Sequence, residues 1–471
     1  MSISGPAAPR PARPLLTEGA VGRTLVVFSL PILASHVLQS LNGSVNSIWV
    51  GRYLGSAALT ATSNANTIMY FLIGTVFGVG MAASILVGQS IGAQNVDQAK
   101  RVAGTSASFF LMAAAGISIV GFFLSPQLLV WMHTPADALP YAISYLRVIF
   151  VAMPFIFAFV FVTIVLRGAG DARTPLLFSV LAVCLDIGLN PLLIFGVGPL
   201  PKLGIAGAAG ATLIANAVTL IAIMVHLYRR KHFLCLRGAE LAYLRPDPVI
   251  LGALVKKGLP MGLQVIVMTS SAIVMISLVN GFGSATSAAF GAALQLWNYI
   301  QMPAFAIGTA VSAMAAQNVG AGRWDRVSRV AVVGVAINFL MTGTLAAVIY
   351  VFSRGALGLF LTDPAAIAVG MHLNAIIVWS FTLFGVSIVL SSVVRSTGAV
   401  IPPLLILFVS FWVLRIPFAV ALLRTWGADA IWWSFPLGSL AAMTLSFAYY
   451  RLGSWRTARM LAPQPSRAPA A

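Results

Sequence analysis

Gln89-Ser-Ile-Gly-Ala-Gln-Asn-Val-Asp-Gln-Ala-Lys-Arg-Val-Ala103 and Gln317-Asn-Val-Gly-Ala-Gly-Arg-Trp-Asp-Arg-Val-Ser-Arg-Val-Ala331 write one segment twice. Gln89, Gly92, Ala93, Asp97, Arg101, Val102 and Ala103 return as Gln317, Gly320, Ala321, Asp325, Arg329, Val330 and Ala331, each 228 positions on (317 minus 89). The same shift carries Arg167, Gly170, Pro175, Leu176 and Leu177 to Arg395, Gly398, Pro403, Leu404 and Leu405. It also carries Gly55-Ser56-Ala57 to Gly283-Ser284-Ala285. One match can arise by chance in a chain of narrow composition, but several in one register point to internal duplication.

The chain between these copies is apolar. Hydrophobic residues make up 59% and charged residues 8%, with a mean hydropathy of +0.96, far from a soluble domain. Apolar runs of about 20 residues or more fit helices, the open-ended structures that satisfy their own backbone in lipid. The expected fold is an all-α polytopic membrane protein. Twelve spans are placed near 25–50, 62–88, 102–124, 141–166, 176–196, 206–227, 258–281, 286–316, 330–352, 369–394, 403–423 and 431–450. The 228-residue shift contains six of them, an even number, so both halves enter the membrane the same way. Two six-helix lobes related by a parallel repeat follow, with a site expected between them near mid-membrane. The expected division is a disordered N-terminus 1–22, an N-lobe 23–228, a linker 229–257, a C-lobe 258–451 and a tail 452–471.

Residues 1–22 are rich in Pro, Ala and Arg without an apolar core, and the run Leu25 to Val50 is too long for a signal peptide, so it reads as an uncleaved first helix. The net charge of +18 is distributed by side. With the N-terminus in the cytoplasm, 22 basic residues fall inside, while Arg52, Arg147, Lys202, Arg354 and Arg424 fall outside. That bias sets both termini in the cytoplasm, fits a bacterial inner membrane and explains the charge by anionic membrane lipid, without nucleic acid. None of the five lysines is followed by Ser or Thr, so no Walker phosphate loop is present. His-Glu-x-x-His and Cys-x-x-Cys are absent, and Cys184 and Cys235 lie in a membrane run and a basic loop. No enzyme, cofactor or metal centre is indicated, and a monomer is expected.

One acid breaks the apolar pattern. Of the ten, Glu18, Asp97, Asp137, Asp171, Glu240, Asp247, Asp325, Asp363 and Asp429 lie in or beside connecting segments, whereas Asp186 lies inside the run Val183-Cys-Leu-Asp-Ile-Gly-Leu-Asn-Pro-Leu-Leu-Ile-Phe195. A charge at mid-membrane costs ~2.5–3.5 kcal/mol, which marks a functional site by default. Pro191 leaves the carbonyl of Ile187 without its donor, so the helix is expected to open where Asp186 and Asn190 share a face. A carboxylate, an amide and a freed carbonyl together suit a proton or a small hard cation.

Four stretches carry a resemblance. They are Leu30-Pro31 with Val45-Asn-Ser-Ile-Trp-Val-Gly-Arg-Tyr-Leu-Gly55; Val87-Gly-Gln-Ser-Ile-Gly-Ala93; Leu166-Arg-Gly-Ala-Gly-Asp-Ala-Arg-Thr-Pro175; and Leu189-Asn-Pro-Leu-Leu-Ile-Phe-Gly196. In this order, on twelve spans with a repeat, the chain resembles the multidrug and toxic compound extrusion (MATE) family of antiporters. The resemblance implies export of drugs or metabolites against inward protons or sodium, by alternating access of a cleft between two lobes. It also implies cation coupling at Asp186 with Asn190, Asn46, Thr163 and Thr212. The chain departs from the family pattern at Asn46, where an Asp is usual, and at Asp186 and Asn190, whose order is reversed. The second-lobe acids of another branch fall at Met268 and Phe384.

Ser35, Gln39, Asn42 and Asn46 recur at helical spacing on the first span, a polar stripe that reads as cleft lining or as interhelical hydrogen bonding. Asn64 and Asn66 on the second span, Gln264 on the seventh, and Gln295, Trp297 and Asn298 on the eighth are further cleft candidates. Met69, Met268, Met302 and Tyr70 suit a compliant apolar surface, or plain core. Arg167, Asp171 and Arg395 at span ends read as structural charges. Arg415 lies deep in the eleventh span, and a structural ion pair between it and Asp186 competes with the coupling assignment. The expected substrate is an amphipathic, cationic organic molecule. A flippase for a lipid-linked or polyprenyl precursor is the alternative.

Overall fold

The computed structural model describes residues 16–196 and 202–461, except the side chains of residues 56, 70, 71, 73 and 75; the expected role of Tyr70 and those of the chain ends lie outside it. The described chain is helical. In order come α1 (Val21–Leu54), α2 (Ser56–Gly92), α3 (Val96–Trp131), α4 (Leu139–Gly168), α5 (Arg173–Phe195), α6 (Ile205–Arg229), α7 (Pro248–Asn280), α8 (Ser284–Gly320) and α9 (Trp324–Val351). There follow α10 (Ser353–Gly358), α11 (Pro364–Ile377), α12 (Ser380–Thr397), α13 (Ile401–Phe408), a π-helical turn Val409–Arg415, α14 (Ile416–Trp426) and α15 (Ala428–Leu452). Eleven helical segments of the described residues are long and apolar enough to cross a membrane, and α2, 37 residues long, stands beside them.

Helices overrun the apolar windows of the sequence, because polar caps and charged first turns extend them past the hydrocarbon. Asn95 caps α3 by accepting from the Gln98 N–H at 3.0 Å. Asp247 caps α7, taking the N–H of Val249 at 2.8 Å with Pro248 at the first helical position. The segment expected to be linker up to residue 257 therefore turns helical at Pro248, and Lys256 and Lys257 ride on α7. The tenth span is two helices, α11 and α12, broken at Val378 and Trp379, and the eleventh carries the π-helical turn.

The repeat is visible as mirrored contacts between the lobes. Leu25, Phe28 and Ile32 of α1 pack in a core with α8, α9 and α12 of the second half. Ile250, Leu254 and Met261 of α7 pack in the core of α2, α3 and α4 of the first. Each lobe thus lends the start of its first helix to the other.

At the C-terminal ends of α2 and α8 the lobes touch backbone to backbone. A Cβ on Gly92 would lie 1.9 Å from the Gln317 carbonyl oxygen, and a Cβ on Gly320 would lie 1.9 Å from that of Gln89. Only glycine permits this approach. Gln89 Nε2 donates to the Ser396 carbonyl at 2.6 Å and Gln317 Nε2 to the Gly168 carbonyl at 3.1 Å, the same bond made twice 228 residues apart.

The described segments nearest the two termini cover this end of the bundle. Leu16 donates its N–H to Gln317 Oε1 at 2.9 Å, and Arg323 and Arg326 hold the carbonyls of Thr17, Glu18 and Gly19. From the other terminus, the Trp455 carbonyl accepts from Thr397 Oγ1 at 2.8 Å, and Met460 inserts into the first-lobe core.

Candidate functional site

Asp186 sits where α1, α5 and α6 meet, with 3% of its surface exposed. Asp171 builds the start of α5 by accepting from the N–H groups of Arg173 and Thr174, each at 3.0 Å, and from the Thr174 hydroxyl at 2.6 Å. The expected opening of α5 does not occur: the helix runs through Pro191 to Phe195. Asn190 lays its amide on the Asp186 carbonyl at 2.9 Å, so a side chain occupies the stretch in front of the proline.

Two neighbours hold the carboxylate. Asn42 Nδ2 donates to Asp186 Oδ2 at 2.8 Å, and Thr212 Oγ1 donates to Oδ1 at 3.0 Å. Hydrogen bonds to a charged group are worth ~1.5–3 kcal/mol each, so together they offset part of the burial cost. Asn42 Oδ1, Asn46 Oδ1 and Asn190 Oδ1 are all buried without a hydrogen-bond partner. Buried polar atoms left unpaired are rare enough to need a reason. Asn42 and Asn190 each bond to Asp186, so two of these oxygens accompany the carboxylate, with Asn46 one turn further along α1; such hard acceptors are of the kind that holds a proton or a small cation. Asn42→Ala takes the donor from Oδ2 and should lower stability by ~1–3 kcal/mol, read as a fall in thermal midpoint; an unchanged midpoint would show the bond contributes nothing.

Asp186 and Arg415 do not pair. Among the described residues the ion pairs are Lys100–Glu240, Arg101–Asp97 and His372–Asp429. Arg415 instead stands 3.5 Å over the Phe435 ring, because the π-helical turn aims it into its own lobe. Arg167 and Asp171 are likewise not an ion pair: Asp171 caps α5, and Arg167 Nε has no partner. Arg395 donates to Gln264 Oε1 at 2.8 Å and to Ser392 Oγ at 3.0 Å.

Among the described residues, the remaining candidates make no hydrogen bond to the Asp186 carboxylate. Thr163 donates to the Val160 carbonyl of its own helix at 2.7 Å, and Ser35 to the Pro31 carbonyl at 2.9 Å. Asn64 donates to Thr134 Oγ1 at 3.0 Å; Gln39, Asn66, Gln295 and Asn298 are exposed. Trp297 is buried and donates to Asn374 Oδ1 at 2.8 Å, so it belongs to the second-lobe core. Asn42, placed by the sequence in the cleft, is a direct partner of Asp186. No local signal ties residues 144 positions apart.

The MatE family model matches residues 31–192 and again residues 260–421, once per lobe. The chain belongs to the MATE family. Its MATE relatives include the probable multidrug resistance protein YoeA of Bacillus subtilis, 36% identical over 93% of this chain and 96% of that protein. YpnP of the same organism, also described as a probable multidrug resistance protein, is 33% identical over 94% and 98%. A solved structure described as the outward-facing conformation of a multidrug resistance MATE family transporter of the MOP superfamily superposes with a TM-score of 0.86. It shares 23% identity over 93% of this chain and 96% of that one, which speaks to fold alone. Both MatE matches include the helices that carry the deep charges, Asp186 in the first half and Arg415 in the second.

Proposed function

We propose that this MATE protein is a secondary active efflux antiporter that exports amphipathic organic compounds in exchange for protons or sodium. The observation that carries the reading is the buried Asp186 carboxylate, held by Asn42 and Thr212 and accompanied by unpartnered amide oxygens on α1 and α5. Loading this set with a cation neutralises it and unloading restores the charge, which is the differential needed to bias one lobe arrangement over another. Asn46 and Asn190 complete the set, and Thr163 on α4 lends packing to the same lobe. In this reading the glycine contact of α2 with α8 is the closed gate, and the positive-inside bias supports a cytoplasmic position for it and for both termini, in a bacterial plasma membrane. A single chain contains both lobes and works as a monomer.

The relatives are described as multidrug resistance proteins, which favours export of organic compounds over flipping of a lipid-linked precursor. The expected cationic charge on the substrate finds one deep counter-charge among the described residues, Asp186, and that carboxylate already accepts two hydrogen bonds. The test is transport in proteoliposomes under a pH gradient or a sodium gradient imposed separately, with ethidium and 2-naphthoate as probes. Movement driven by one ion supports the reading and names the ion; no gradient-driven movement of either probe under either ion overturns it.

A further inference from the structure

Charge inside the second lobe has the opposite sign. Arg415 is 8% exposed, has no ion-pair partner among the described residues, and its Nε is buried with no hydrogen-bond partner. A buried charge without a partner is costly, and structures tolerate it where something supplies the missing counter-charge. The surroundings form a site around this group. A cavity of about 140 Å³ is lined by Arg415 and by Phe290, Trp297, Phe381, Phe384, Phe411 and Phe435. Gln301 and Ser439 add polar atoms to its wall.

Three features of the chain put the guanidinium there. The π-helical turn Val409–Arg415 inserts extra backbone before Arg415, a device concentrated at functional sites. Gly438 on α15 leaves room beside it: a Cβ there would stand 3.2 Å from Arg415 Cβ and 3.3 Å from its Cδ. Phe435, at 3.5 Å, and Phe411, at 5.5 Å, hold the guanidinium by their faces and leave its hydrogen-bond donors unspent. The repeat adds a correspondence: the shift of 228 puts Leu414 opposite Asp186 (414 minus 228), so the two lobes place an acid and a base one residue apart in register.

We propose that this second-lobe cavity binds the anionic group of an amphipathic organic anion, a carboxylate or phosphate on an aromatic body. The anion pairs with Arg415, and the aromatic wall stacks on its apolar part. A neighbouring cavity of about 110 Å³ shares Met268 and Phe384 as its wall and is lined by Arg395, whose Nη atoms are already committed to Gln264 and Ser392. Arg395 therefore adds positive potential, while Arg415 supplies the free donors. This inference rests on the export reading for the fate of the bound anion, but binding itself does not depend on it.

The test is equilibrium binding of radiolabelled 2-naphthoate to the purified protein, beside its neutral amide, 2-naphthamide, and in chloride against gluconate buffer. Naphthoate is expected to bind the wild type and to raise its thermal midpoint. Arg415→Met should fold and bind naphthoate at least about 30-fold more weakly, while its weaker affinity for naphthamide stays the same. Gly438→Val, which crowds Arg415 without removing it, should weaken naphthoate in the same direction. Binding is read at equilibrium with no ion gradient imposed, so a failure of gradient-driven export is distinguishable from a failure here. Equal binding of naphthoate by wild type and Arg415→Met, equal affinity of wild type for naphthoate and naphthamide, or full competition by chloride alone overturns the proposal.

Discussion

Asp186→Asn is expected to abolish gradient-driven export while leaving the bundle folded. A one-for-one exchanger uses one unit of pH gradient, ~1.4 kcal/mol, to sustain about a tenfold substrate gradient; the variant should sustain none. The fold survives because the carboxamide keeps one acceptor for Thr212, and Asn42 can turn its amide so that its unpartnered Oδ1 accepts from the new Asn. A thermal midpoint close to that of the wild type separates lost coupling from lost structure. Proteoliposomes loaded with probe and given a gradient provide the measurement, with probe leak in empty vesicles as baseline. Undiminished accumulation by the variant would remove Asp186 from the mechanism, whatever the hydrogen bonds around it.

The second large effect concerns the gate. Gly320→Val sets a side chain where even a Cβ lies 1.9 Å from a backbone oxygen, and helix backbone cannot give way as a flexible side chain can. Closure of this end then costs ~1–3 kcal/mol or more, and the closed population falls by roughly tenfold for each ~1.4 kcal/mol. Export is expected to drop to the leak rate, since one of the two lobe arrangements is lost. Gly92→Val, the repeat mate, should act alike, because its Cβ meets the Gln317 carbonyl at the same 1.9 Å. Spin labels at Ala93→Cys and Ala321→Cys, in a background without Cys184 and Cys235, read the gap directly. The wild type should give a short-distance population, and either glycine variant should lose it. A short distance retained in Gly320→Val would show that this contact is not the gate.

The glycine contact between the lobes was half legible in the sequence. Gln89 with Gly92 and Gln317 with Gly320 stood out as a repeated pair at one spacing, but a spacing does not say that each glutamine reaches the other lobe. That follows from folding two like halves about a shared axis, where equal residues meet crosswise. Helix ends were misplaced for a different reason. Apolar windows mark hydrocarbon, whereas capped helices such as α7 continue into the polar zone until their hydrogen bonds run out. Arg415 was visible as a deep charge, but whether it pairs with Asp186 was left open between two readings. Opposite charges in one list suggest a pair, and the π-helical turn and Gly438 that keep Arg415 in its own lobe carry no recognisable local signature.

What the order of residues determined by itself was the kind of object: a helical membrane protein, duplicated in parallel, with one acid inside its first half. Those features are properties of composition, period and register, each read within a short window or by comparing two windows. What only the tertiary structure decided was which groups share a space. Asn42 came to Asp186 from α1, Thr212 came from α6, and six aromatic side chains from four segments closed around Arg415. Electrostatics and hydrogen bonding act over a few ångströms, so the identity of a polar neighbour inside a bundle depends on helix rotation and crossing, which the packing of the two lobes sets.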